Sequence, residues 1–138
     1  MAKKIKFEIV TPERTVLKNT VDQITLPTKS GEITILPNHV PLVSMLSPGE
    51  IIIKKEGEDI SMAVSGGFVE VMVNKVVILA DTAERAEEID PERAEEAKRR
   101  AENLKNQKTS DNREFAALSS RIEKELARIK VARKHRKL

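Results

Sequence analysis

The sequence predicts an α+β chain in two parts: an antiparallel β-sandwich of eight to ten strands over residues 1–83, then an antiparallel two-helix hairpin over residues 84–138. Three observations predict it. Up to about residue 82, apolar residues alternate with polar ones or fall in short β-branched blocks between turn signals. Beyond Ala83 there is no Gly, and the only Pro is Pro91. In that second part apolar residues recur every three or four positions, the helical period.

Taken in order, Ile5, Phe7 and Ile9 alternate strictly, and Val21, Ile24 and Leu26 do so more loosely. Ile33/Ile35, Ile51 to Ile53, Ile60/Met62/Val64, Phe68 to Val73 and Val76 to Leu79 complete the strand candidates. Thr11-Pro12, Pro27, Ser30-Gly31, Pro37-Asn38, Pro48-Gly49, Glu56-Gly57 and Gly66-Gly67 separate them. Many short strands at this spacing favour a sandwich or a flattened barrel. Asp90-Pro91-Glu92 then reads as a helix start, with Asp as N-cap, Pro at the first helical position and an acid in the first turn. Ala94, Ala97, Ala101 and Leu104 form a narrow seam on the first helix. The polar stretch from Asn106 to Asn112 interrupts it, and Phe115, Leu118, Ile122, Leu126 and Ile129 form the expected seam of the second. A small-residue stripe facing a larger one suits closely packed antiparallel helices. Alanines bury little area, so the hairpin needs a surface or a ligand to hold it, which suits a mobile element.

Composition narrows the function. Cysteine is absent, which excludes disulfides, thiolate metal sites and thiol catalysis together. With no Trp, no Tyr and three Phe, there is little to stack on bases or sugars. His39 and His135 stand in no metal-ligand spacing, and Ser65-Gly66-Gly67 lacks the flanks of a nucleophile elbow. There is no Walker-type phosphate loop, so a catalytic reading finds no supported acid, base or nucleophile. The basic start MAKKIKFEIV has no apolar segment after it, and the run from Val76 to Ala80 falls far short of the ~20 residues that span a bilayer. Membrane association is therefore expected only through a partner.

Charge is uneven. Residues 1–82 carry nine Lys/Arg against ten Asp/Glu, and residues 83–138 carry sixteen against twelve. Residues 84–96 hold seven acids and two bases, whereas 121–138 hold eight bases and two acids. The basic set Arg121, Lys124, Arg128, Lys130, Arg133, Lys134, Arg136 and Lys137 reads most plainly as a solvated helix face. It also permits a rival reading, a nucleic-acid-binding protein using the C-terminal helix. Against that, Phe115 alone is available for stacking on the hairpin, and the acidic first turn repels a phosphate backbone.

Two long segments are distinctive beyond their pattern: SGEITILPNHVPLVSMLSPG from Ser30 to Gly49, and VSGGFVEVMVNKVVILADTAERAEEIDPERA from Val64 to Ala94. Both resemble the epsilon subunit of bacterial F-type ATP synthases, and the resemblance covers essentially the whole chain. It implies a non-catalytic rotor subunit whose sandwich contacts the gamma subunit and the c-ring. The hairpin either folds onto the sandwich or extends into the catalytic head and inhibits hydrolysis. The implied location is peripheral, on the cytoplasmic side of the bacterial plasma membrane. Glu32 and His39 match positions near the c-ring contact. Ile89, Asp90, Arg93 and Ala94 fit the family's nucleotide motif, with Glu84 and Arg100 at further matching positions. Arg121 and Arg128, seven apart like Arg93 and Arg100, are the second-helix candidates for a triphosphate. The implied regulatory ligand is ATP, bound without hydrolysis, with Mg²⁺ as an open companion and no catalytic cofactor. Arg121, Lys124 and Arg128 are further implied to meet an acidic loop of the catalytic beta subunit.

Overall fold

In a computed structural model, which describes residues 4–107 and 112–136, the chain forms ten strands, one 3₁₀ turn and two helices. The strands are β1 (Ile5–Val10), β2 (Thr15–Val21), β3 (Gln23–Thr28), β4 (Gly31–Ile35) and β5 (Leu42–Leu46). They continue as β6 (Gly49–Lys55), β7 (Glu58–Val64), β8 (Gly67–Val71), β9 (Lys75–Ala80) and β10 (Ala83–Arg85). A 3₁₀ turn at Ala86–Glu88 leads into α1 (Pro91–Gln107), and α2 (Asn112–Arg136) returns. The expected interruption between the helices falls partly on residues 108–111, which lie outside the described residues.

All ten strands belong to one sheet, in the order β10-β7-β6-β3-β5-β8-β9-β1-β2, with β4 on the side of β3. The sheet doubles over between β3 and β5, which share only the Thr28–Leu46 pairing. Alternation decides which side chains enter the interior. Ile5, Phe7 and Ile9 of β1, Ile24 and Leu26 of β3, Ile51 and Ile53 of β6, and Val76 and Ile78 of β9 all point between the layers. Pairing is antiparallel throughout except between β1 and β9, which run parallel. Those two strands are distant in the chain, so no tight turn dictates their direction. At the start of β8, Gly67 has φ +125°, and a Cβ there would fall 2.0 Å from the Leu79 carbonyl oxygen. Only glycine lets β8 approach β9 so closely at this point.

α2 lies between the sheet and α1, touching β6, β7 and the 3₁₀ turn on one side and α1 on the other. Its inner line runs Leu118, Ile122, Glu125, Ile129 and Ala132, a 4-3-4-3 progression in which Glu125 replaces the expected Leu126. Leu126 is instead half-exposed, at the rim of a shallow pocket that it shares with Lys29, Pro48 and Gly49 of the sandwich. On α1, Ala94 and Ala101 are buried as expected, while Leu104 is exposed. Phe115, also exposed, receives the Lys105 ammonium 4.4 Å from its ring centre, which ties the outer ends of the two helices together.

Candidate functional site

α1 starts where the sequence places it. The Asp90 Oδ1 accepts hydrogen bonds from the backbone N–H groups of Glu92 at 3.0 Å and Arg93 at 3.4 Å. The Asp90 carbonyl accepts from Ala94 N–H at 3.1 Å, so this residue caps the helix and opens its hydrogen-bond ladder. Ile89 is extended and buried, packed with Ala63, Ala86, Val131 and Ala132 beneath α2. Ala94 is fully buried. Three of the four motif residues therefore have structural work in capping and packing. Arg93 does not: its side chain is exposed at the helix start and makes no ion pair among the described residues.

Two clusters gather the remaining candidates. The first is a cleft of about 260 Å³ between the helices, lined by Ala97, Arg100, Ala101, Leu104, Arg121, Lys124 and Glu125. Ala97 and Ala101 leave room there because they are small, and Arg100, Arg121 and Lys124 bring three cations to its rim. Such a cleft can take a polyanion through charge-assisted hydrogen bonds. Arg93 is not part of its lining.

The second cluster joins the hairpin to the sheet. Arg128 donates from Nε to Glu84 Oε2 at 2.8 Å, and from Nη1 to both carboxylate oxygens of Glu125 at 2.9 Å. Burial alone would lower the Arg128 pKa, but the hydrogen bonds to Glu125 and Glu84 and their charges hold it above its ordinary value. Glu84 and Arg128, both nucleotide candidates, are thus each other's partners rather than members of the cleft. Further along α2, Lys134 Nζ donates to Glu50 Oε1 at 3.1 Å, and Arg133 pairs with Glu95 of α1. The basic face is consequently not a simple solvated surface: three of its cations are matched to acids of this chain. Of the rest of that set, Lys137 lies outside the described residues.

Glu32 is exposed on β4 opposite Pro27. His39 is half-buried after Asn38, which has φ +65°, and its Nδ1 lies 2.7 Å from the Val40 carbonyl oxygen. Glu32 stands at the start of β4 and His39 in the connection from β4 to β5.

Sequence reasoning missed two features. Glu125 is one: it is 6% exposed, yet the strict 4-3-4-3 spacing from Leu118 to Ala132 already put position 125 on the inner line. The other is the outer face of β5, β8 and β9. Met45 pairs with Phe68, and Phe68 with Leu79, so the three form a row across the strands, and each is more than half exposed. Val43, 70% exposed, shares this face two positions along β5 from Met45, and Val40, 74% exposed, lies just before the strand. The signal was the unbroken apolar run from Val76 to Leu79, because a strand with one wet face should alternate.

Comparison with known proteins bears on both parts. Residues 4–86 match the family model described as ATP synthase, Delta/Epsilon chain, beta-sandwich domain, and residues 87–133 match the long alpha-helix domain of the same chain. An ATP synthase epsilon chain of Chloroflexus aggregans is 48% identical over 96% of this chain and 94% of its own length. One from Dehalococcoides mccartyi is 46% identical over 97% and 96%. Among solved structures, a chain of the Euglena gracilis mitochondrial ATP synthase (OSCP/F1/c-ring) superposes with a TM-score of 0.79 at 26% identity, covering 94% of this chain and 81% of that one.

Proposed function

Because this chain belongs to the family of ATP synthase epsilon chains, we propose that it is the rotor-stalk subunit that couples gamma to the c-ring and restrains ATP hydrolysis through a mobile, ATP-sensing hairpin. It is a non-catalytic subunit of that assembly. The observation that carries the reading is the bare apolar row Met45–Phe68–Leu79, on the layer opposite the hairpin. An apolar face of this kind on an otherwise charged chain is an assembly surface, and gamma is the partner proposed for it. Glu32, exposed on β4, and His39, in the connection that follows it, are the proposed contacts with the polar loops of the c-ring. No helix among the described residues is long and apolar enough to cross a membrane. Attachment to the cytoplasmic side of the plasma membrane is accordingly proposed to run through the complex.

ATP is the proposed ligand of the interhelical cleft, with its phosphates on Arg100, Arg121 and Lys124 and with Arg93 closing from the helix start. A ligand that binds only the docked hairpin stabilises it by about 2.7 kcal/mol at a hundredfold excess over Kd. With ATP bound, the hairpin stays down; without it, α2 is free to extend, and its basic face meets the acidic loop of the beta subunit. The rival nucleic-acid reading is disfavoured by the pairing of Arg128, Arg133 and Lys134 to acids of the same chain.

The test has two arms. Phe68→Asp should prevent co-purification of the subunit with gamma while leaving the isolated chain folded; normal assembly of that variant would sink the rotor reading. Millimolar ATP should raise the melting temperature of the wild-type subunit but not of Arg100→Ala or Arg93→Ala. No gain in the wild type would mean regulation without nucleotide sensing, and an equal gain in all three would put the site elsewhere.

A further inference from the structure

The geometry points to a charge-keyed seat: a row of three platform residues, Glu50–Ala63–Glu84, receives three residues of α2, Lys134, Val131 and Arg128, and its two ion pairs set how readily the hairpin leaves. Glu50 of β6 and Glu84 of β10 both stand in register with Ala63 of β7. Side chains paired in this way project from one face of a sheet, so two acids flank one small residue at strand spacings of about 4.8 Å. On α2, Arg128 and Lys134 lie three positions before and after Val131. At about 100° per residue, that puts them roughly 60° to either side of it. A cation–valine–cation triplet therefore meets an acid–alanine–acid row.

The contacts follow that pattern. Val131 is wholly buried in one cluster with Ala63 and Ala132, while Arg128 reaches Glu84 at 2.8 Å and Lys134 reaches Glu50 at 3.1 Å. Glu50 is held from the other side by the Ser61 hydroxyl, which donates to its Oε2, and its side chain is only 11% exposed. Glu84 is fixed by its place in β10, and Arg128 is braced by Glu125. The depth of the seat is set by Ala63, since a larger residue would lift the helix. Its register is set by charge and Val131 together: a one-turn slide in one direction puts uncharged Ala132 opposite Glu84, and in the other Lys124 and Lys130 take the cation places while Ala127 replaces the buried Val131. Its buried apolar cluster is Ala63, Ala86, Ile89, Val131 and Ala132, mostly small residues, which leaves the ion pairs a large share of the control. The inference rests on the proposed reading in one respect: release matters to the assembly only if the hairpin is mobile.

The chain has no cysteine, so Ala132→Cys puts a single thiol in the seat, and its labelling rate in nucleotide-free buffer reports how often α2 undocks. In that background, Glu50→Gln with Glu84→Gln should raise the labelling rate about tenfold, equivalent to about 1.4 kcal/mol. Glu50→Lys alone should raise it as well, and adding Lys134→Glu should return it to within about threefold of the parent. A thiol at Met62, inside the sandwich, should label no faster in any of these variants. An unchanged rate at Ala132→Cys, a swap no slower than Glu50→Lys alone, or an equal rise at Met62→Cys would each overturn the seat. Failure of the functional reading looks different: seat variants would label faster while ATP hydrolysis by the assembled enzyme stayed as in the wild type.

Discussion

Between its two layers the sandwich buries Ile5, Phe7, Ile9, Ile24, Leu26, Ile51, Ile53 and Ile78 side by side, a cluster of branched and aromatic side chains without a charge among them. Under α2, by contrast, the buried set is mostly alanine, and ion pairs stand at its rim. The two interfaces belong to one chain and share β7, whose Met62 and Val64 face the core and whose Ala63 faces the helix. Area burial is non-directional and large, so it makes the platform permanent. Small residues with partly solvated ion pairs hold a helix in one register for modest free energy, which suits a part that has to leave.

The sharpest way to break the comparison is to damage the core. Phe7→Ala should cost about 3–5 kcal/mol, visible as an early denaturant midpoint for the whole chain, because the hairpin loses its support with the platform. A loss confined to the helices would refute the division of labour. Next in size, Arg128→Ala leaves the buried Glu125 without its cation and should cost docking about 2 kcal/mol, while the β-type circular dichroism of the sandwich persists. Removing the cap with Asp90→Ala should cost about 1 kcal/mol, read as fraying at the start of α1 by amide exchange. The smallest effect belongs to Arg133→Ala, whose partnership with Glu95 is largely exposed; at most about 0.5 kcal/mol is expected.

Acidity and salt should separate in the same way. Arg128 has its folded pKa raised. Its contribution is therefore complete below the unfolded pKa and is lost only as pH rises through the folded one. Both lie above ordinary conditions, so Arg128 should make docking flat between about pH 6 and 9. Raised salt should weaken docking across the same range, because screening lengths shrink to a few ångströms near 1 M.

Much of this was legible in the residues. Alternation in Ile5-Phe7-Ile9 fixes which side enters the core, and Asp90-Pro91 announces the start of α1, because both signals act within a few positions. The inner line of α2 was read as Leu126 where Glu125 stands. Hydropathy alone prefers leucine, although Arg128, three positions on, supplies the cation that makes a buried carboxylate tolerable, and the tertiary arrangement adds Glu84, which holds that guanidinium in place. The separation of the nucleotide candidates was hidden for a similar reason. A seven-residue spacing places Arg121 and Arg128 on one side of α2, but it cannot say that the first borders the cleft while the second turns to the sheet. The parallel pairing of β1 with β9 was equally invisible, since it depends on how a long chain closes.

The crease between β3 and β5 has a mechanical consequence. At the crease, the Thr28–Leu46 pairing and the flanking bonds Lys29 N–H to Met45 O at 3.1 Å and Ser47 N–H to Pro27 O at 3.0 Å join the two layers, and at another edge Asp22 N–H to Lys54 O at 2.8 Å and Lys55 Nζ to Asn19 Oδ1 at 2.7 Å tie the end of β2 to β6. A load applied at the β5–β8–β9 face crosses to the helix side through these bonds, through the short connections between the layers and through the interlocked side chains of the core. Close-packed interiors resist compression strongly, whereas a narrow fold line yields easily to bending. The platform should therefore behave as a stiff pad under axial force, with any give concentrated along the crease.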